Sequence, residues 1–131
     1  MITLDPGQYT AIVRGKDGGT GVGLVDLYDL DESTETELTN ISTRGLVETE
    51  SSVMIGGFSL GGGGGNTTVL VRAIGPTLTP LGVAGALADP TPELRDANAV
   101  LTRSNDNWKE SQETESAATN LQQPDDLESA V

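Results

Sequence analysis

The chain has 131 residues, enough for one domain with a core of its own and too few for two. Its 20 acidic and 7 basic residues give a formal net charge of -13, which excludes the basic footprint that nucleic acid demands and disfavours an anionic membrane surface. With no Cys and no His, disulfides, thiol nucleophiles, serine triads and the common zinc sites are excluded too.

From the start, Met1-Ile2-Thr3-Leu4-Asp5 lacks the basic and apolar regions of a signal peptide, so any export signal is expected outside this chain. No stretch approaches the roughly 20 apolar residues of a membrane span. After the Asp5-Pro6-Gly7 turn, residues 8–14 (QYTAIVR) alternate as a strand. Residues 15–21 (GKDGGTG) read as a hairpin loop, and residues 22–28 (VGLVDLY) as the returning strand. Residues 29–37 are polar and acidic and read as a surface loop or linker, followed by a strand over residues 38–44 (LTNISTR). A further strand, residues 53–60 (VMIGGFSL), carries a Gly56-Gly57 pair that suggests a bulge.

Five consecutive glycines, Gly61 to Gly65, sit between that strand and residues 67–74 (TTVLVRAI), and read as a hairpin tip. A phosphate cradle would need Gly-Lys-Ser/Thr leading into a helix, and here Asn66-Thr67-Thr68 leads into a β-branched strand. Residues 75–90 form a proline-containing loop with one short helical turn expected near residues 81–87. Residues 91–96 and 99–104 flank Ala97-Asn98 as a tight hairpin, and residues 109–121 carry the weak apolar stripe of a short helix. The pattern predicts an all-β fold, an antiparallel β-sandwich of jelly-roll type with at most one short helix.

The two ends are half-strands. Leu127-Glu128-Ser129-Ala130-Val131 begins a strand that stops without a turn, and Met1-Ile2-Thr3-Leu4 ends one that starts without a turn. Joined head to tail they give LESAVMITL, bounded by turn residues on both sides. Residues 1–131 therefore read as a single sandwich module, one period of a repeat whose boundary falls inside a strand. A lone copy is expected to leave its sheet unfinished.

Several stretches in combination resemble a known repeat: residues 9–15 (YTAIVRG), 20–30 (TGVGLVDLYDL), 41–45 (ISTRG), 55–58 (IGGF), 72–76 (RAIGP) and 104–108 (SNDNW). That repeat occurs in tandem in very large secreted proteins of Verrucomicrobia-like environmental bacteria. The present order resembles a circular permutation of the family's domain, broken within the LESAV/MITL strand. Residues 93–131 followed by 1–28 also resemble a pre-peptidase C-terminal β-sandwich. The resemblance implies a jelly-roll-like sandwich in a secreted protein, an accessory fold that often carries calcium.

Calcium takes six to eight oxygen ligands from carboxylates, amide side chains and turn carbonyls. Asn105 and Asp106 offer such groups beside Trp108, with Asp96 and Asn98 on the adjoining hairpin and Asp126 before the final half-strand; Asp106 leads this set. Asp and Asn also populate turns because they cap backbone N–H groups, which needs no ion. Trp108 is expected to anchor the core, and Arg44 and Arg72 to bond carboxylates or carbonyls.

Together these readings predict a non-enzymatic, extracellular or cell-surface structural subunit. It would assemble with other copies of itself through Met1, Ile2, Thr3, Leu4, Leu127, Ser129, Ala130 and Val131, by strand continuation in a tandem array or by donor-strand pairing. An adhesin or carbohydrate-binding module of a large surface protein is the alternative, weakened by a total of only four aromatic residues.

Overall fold

The computed structural model describes residues 1–31, 40–61 and 65–131. Among the described residues nine strands occur in chain order: β1 (Ile2–Leu4), β2 (Gly7–Gly15), β3 (Gly21–Asp29), β4 (Asn40–Val47), β5 (Met54–Leu60), β6 (Thr67–Ile74), β7 (Pro90–Asp96), β8 (Leu101–Ser104) and β9 (Ser129–Ala130). Two short helices, α1 (Trp108–Ser111) and α2 (Glu113–Thr119), abut between β8 and β9. The protein is an all-β sandwich of two packed antiparallel sheets, as its alternating segments predict.

The first sheet has the order β1-β6-β3-β4, with β9 also on β6, and the second has the order β5-β2-β7-β8. Their facing sides supply the main core, where Ala11, Val13 and Leu94 of one sheet meet Val25, Leu27, Val69 and Val71 of the other. In β6 the alternation of TTVLVRAI is used on both faces. Val69, Val71 and Ala73 enter this core, while Leu70 joins Trp108 and Ala130 in a second cluster on the sheet's outer side. The helical segment covers that outer side.

Two expected hairpins are corrected. β2 pairs with β5 and β7, each over seven rungs, whereas β3 pairs with β4 and β6. The link between β2 and β3 is therefore an arch from one sheet to the other, made by a 3-10 turn at Lys16–Gly18 in which Asp17 and Gly18 take φ of 51° and 77°. Ala11 and Val13 on one strand and Val25 and Leu27 on the other bury more by facing each other across the sandwich than by lying side by side. The glycine run likewise connects strands of different sheets, β5 and β6, and its residues 62–64 lie outside the described residues. Residues 32–39, which include most of the predicted acidic loop and the start of the next predicted strand, also lie outside them. β7 and β8 do form the expected hairpin, with an irregularity between Leu94 and Arg95.

In the loop after β6, the helical turn lies at Pro76–Leu78 rather than at residues 81–87. Proline at the first helical position presets φ there, while Gly82 and Gly85, with φ of 87° and 67°, leave the right-handed region and stop a helix from forming further on. The loop then returns Leu87, almost fully buried, into the core. Glycine is needed where it docks, because a Cβ on Gly21 would stand 2.7 Å from Leu87 N and one on Gly75 2.1 Å from Leu87 O.

Candidate functional site

β6 is bordered on one side by β3 and on the other by both chain ends. Ser129 and Ala130 stand opposite Ala73 and Arg72. Val131 exchanges two hydrogen bonds with Val71, N–H to O at 2.9 Å and O from N–H at 2.8 Å. The ladder then resumes with Ile2 opposite Val69, Thr3 opposite Thr68 and Leu4 opposite Thr67. Counting along β6, Val131 opposite Val71 is followed by Met1 opposite Leu70, with no rung skipped and none used twice. The pleat continues as well: Val131, Ile2 and Leu4 enter the main core, and Ala130 and Met1 enter the outer cluster.

The half-strands are thus one interrupted strand, and the expectation that a lone copy leaves its sheet unfinished is corrected: each end completes the other on the same β6. The physical reason is register. Side chains alternate with period two, so only this phase buries Val131 and Ile2 together while keeping Ala130 beneath Trp108.

The C-terminal fragment is the more deeply seated, since Glu128, Ser129, Ala130 and Val131 are all fully buried, whereas Met1 and Ile2 are half-buried and Thr3 is exposed. Side chains bond the backbone of both fragments. Asn105 Nδ2 donates to Ala130 O at 2.8 Å, Gln123 Nε2 to Ser129 O at 3.2 Å and Arg103 Nη1 to Met1 O at 3.0 Å. Trp108 donates its backbone N–H to Glu128 O at 3.0 Å and its indole Nε1 to Asp125 O at 3.0 Å. Trp108 is the expected core anchor. Arg72, on the outer face of β6, binds Asp26 Oδ2 at 2.7 Å and the Tyr28 hydroxyl at 2.8 Å, while Arg44 is exposed.

Three polar groups at this border could not be anticipated from sequence, because nothing in QETES or LESAV marks a residue as interior. Gln112 is fully buried, and its Oε1 accepts a hydrogen bond from the Met1 ammonium group. Glu115 lies 3.5 Å from that ammonium. Burial outweighs the attraction of Glu115, and with Arg103 nearby it draws the amine down from 8.0 to about 6. Glu128 is the third. Its Oε1 accepts the Thr77 N–H at 3.1 Å, and its Oε2 has no donor among the described residues. Burial raises its carboxyl above the ordinary value of 4.5, against the opposing effect of the Thr77 hydrogen bond.

The residues expected to share an ion are dispersed. Asp96 Oδ1 accepts from the N–H groups of Asn98 and Val100, a turn cap at the tip of the β7–β8 hairpin. Asp106 lies beyond the opposite end of that hairpin, with Lys16 Nζ at 2.5 Å, and the same lysine is 3.7 Å from Asp89. Asn105 spends its amide on Ser111 and Ala130, and Asp126 faces Lys109 at 2.5 Å. Among the described residues no group of three or more acidic side chains is placed to hold a metal ion. Where Asp106 and Asp89 do converge, Lys16 supplies the counter-charge.

No helix among the described residues is long and apolar enough to cross a membrane. No protein-family model, curated protein or solved structure matches the chain.

Proposed function

We propose that this protein is a structural subunit of an extracellular fibre or repeat array, joined head to tail to copies of itself by strand continuation or donor-strand complementation. The single observation that carries the reading is the split strand on β6, whose register and pleat run unbroken from Ala130 through Val131 to Ile2. A slot filled by the chain's own residues 128–131 accepts the same residues from a neighbour with identical contacts, which is the low-energy route to domain swapping. Each copy that releases residues 128–131 offers a donor and a vacated slot, and a donor that enters a third copy, instead of the one that filled its own slot, makes a contact that propagates without closing. The net charge of -13 favours such a contact over lateral clumping, because like-charged flanks repel.

A sugar-binding module is less well supported. Trp108 and Phe58 are buried and Tyr9 stacks on Phe58 at 5.6 Å, so these three rings form no exposed platform.

The absence of native Cys gives a direct test. Ala73 and Ser129 are register partners and both are small, so Ala73→Cys and Ser129→Cys variants should each retain the fold. When the two are mixed, concentrated and oxidised, strand exchange gives disulfide dimers containing one copy of each variant. If these variants yield no mixed dimers, and the unmodified chain stays monomeric by light scattering at every concentration, the reading is wrong.

A further inference from the structure

We propose that Glu128 is a proton-operated latch on the exchanging segment: with its carboxyl group protonated, residues 128–131 stay seated beside β6, and with it ionised they are released for exchange. This rests on reading that segment as the donor.

Glu128 stands at the root of the segment, immediately before β9, and its side chain is fully buried. An ionised carboxylate there has the Thr77 backbone N–H on Oε1 at 3.1 Å, with the Thr77 hydroxyl and the Asp125 N–H also favouring the charge. Yet its second oxygen faces the interior without a donor among the described residues, and burial outweighs these bonds. Such a group strongly opposes burial, and either taking up a proton or leaving the site relieves it. Leaving the site means unseating the segment, because the Glu128 backbone is fixed to Trp108 N.

Among the described residues no cation acts on the Glu128 carboxyl group. The 3-10 turn that supplies Thr77 (Pro76–Leu78) carries no charge. In α1, Lys109 is held by Asp126 at 2.5 Å. Asp125, on the turn before Glu128, adds a like charge that favours protonation, while its backbone N–H works in the opposite direction. Residues 121–127 between α2 and the segment form no helix or strand, and release would also open the bonds from Arg72 to Leu121 O and from Gln123 to Ser129 O.

The sign follows from linkage. The seated carboxyl group titrates above 4.5 and the released one near that value, so seating is fully favoured below 4.5. It weakens as pH rises through the seated group's own value and is constant beyond it. One proton is linked, so the opening equilibrium shifts by up to about tenfold per pH unit within that window.

Hydrogen exchange of the Val71 and Val131 amides, which bond each other's carbonyls, reads the opening directly on the full chain at dilute concentration. After correction for intrinsic exchange, protection should fall with rising pH, while Glu128→Gln should lose that dependence and Asp125→Asn should keep it. A ¹³C titration of the unmodified Glu128 carboxyl should give a midpoint above 4.5, a readout that needs no variant to fold. A midpoint at or below 4.5, flat protection in the unmodified chain, or unchanged pH dependence in Glu128→Gln overturns the latch. A pH-dependent opening in a chain that never forms mixed dimers leaves the latch standing and removes the assembly. Mixed dimers that form at one rate across the pH range do the reverse.

Discussion

β4 pairs with β3 along eight consecutive rungs, from Gly21 opposite Val47 to Tyr28 opposite Asn40, yet among its described side chains Val47 alone is buried. Ile41 and Leu46 remain 41 % and 60 % exposed. The opposite border of the same sheet is assembled from pieces of three and two residues, and there Leu4, Ser129, Ala130 and Val131 are all buried. One border is held mainly by its backbone ladder, the other by what its side chains displace from water. A short strand can therefore serve as well as a long one when burial replaces rungs, since a buried Val or Leu contributes about 1.5–3 kcal/mol against about 1 kcal/mol for a net hydrogen bond.

Placing the same charge on each border should break the comparison most sharply. Val131→Asp puts a carboxylate into the main core and is expected to destabilise the fold by about 3–5 kcal/mol, whereas Ile41→Asp on β4 should cost less than about 1 kcal/mol. Urea denaturation followed by the near-ultraviolet signal of buried Trp108 measures both. Similar losses would mean that the split border is no more dependent on burial than β4.

A smaller effect, of opposite sign, is expected from joining Val131 to Met1 by a peptide bond. The register leaves no rung between them, so the ring closes without strain and removes entropy from the unfolded chain, by about 2–4 kcal/mol on the scale of long covalent loops. Inserting two glycines at the junction should forfeit part of this gain by buckling the strand. Thermal melting of the cyclised and linear chains gives the comparison.

The smallest effect concerns the amine. Folding holds the Met1 amine at about 6 instead of 8.0, so between those values the unfolded chain binds the extra proton and stability rises with pH. The gain is at most about 2–3 kcal/mol and is complete above pH 8. Glu128 acts in the opposite direction from lower pH, so the two are separated by acetylating the amine, which should abolish the rise and leave the Glu128 dependence intact.

Much of the strand content is legible locally. QYTAIVR, VGLVDLY and TTVLVRAI become β2, β3 and β6 because period-two alternation is a property of neighbouring residues. Which sheet each strand joins is not local. Lys16-Asp17-Gly18 looks like a hairpin tip, and only the partners β5, β7, β4 and β6, distant in sequence, turn it into an arch. The half-strands were legible as fragments of one strand, but that they would complete each other within one chain depended on β6 offering both rungs. Asp96 and Asp126 illustrate the limit for sites. A turn cap, an ion pair and a calcium ligand draw on the same residue type, and spacing alone does not separate them.

The side-chain caps on the split border have one more consequence. With the Ala130 and Met1 carbonyls already bonded by Asn105 and Arg103, a further strand finds those acceptors taken on that flank. On the proposed reading, growth there would be by substitution and not by accretion. A filament made this way would lengthen one molecule at a time, each newcomer displacing a seated segment and not adding a strand beyond it.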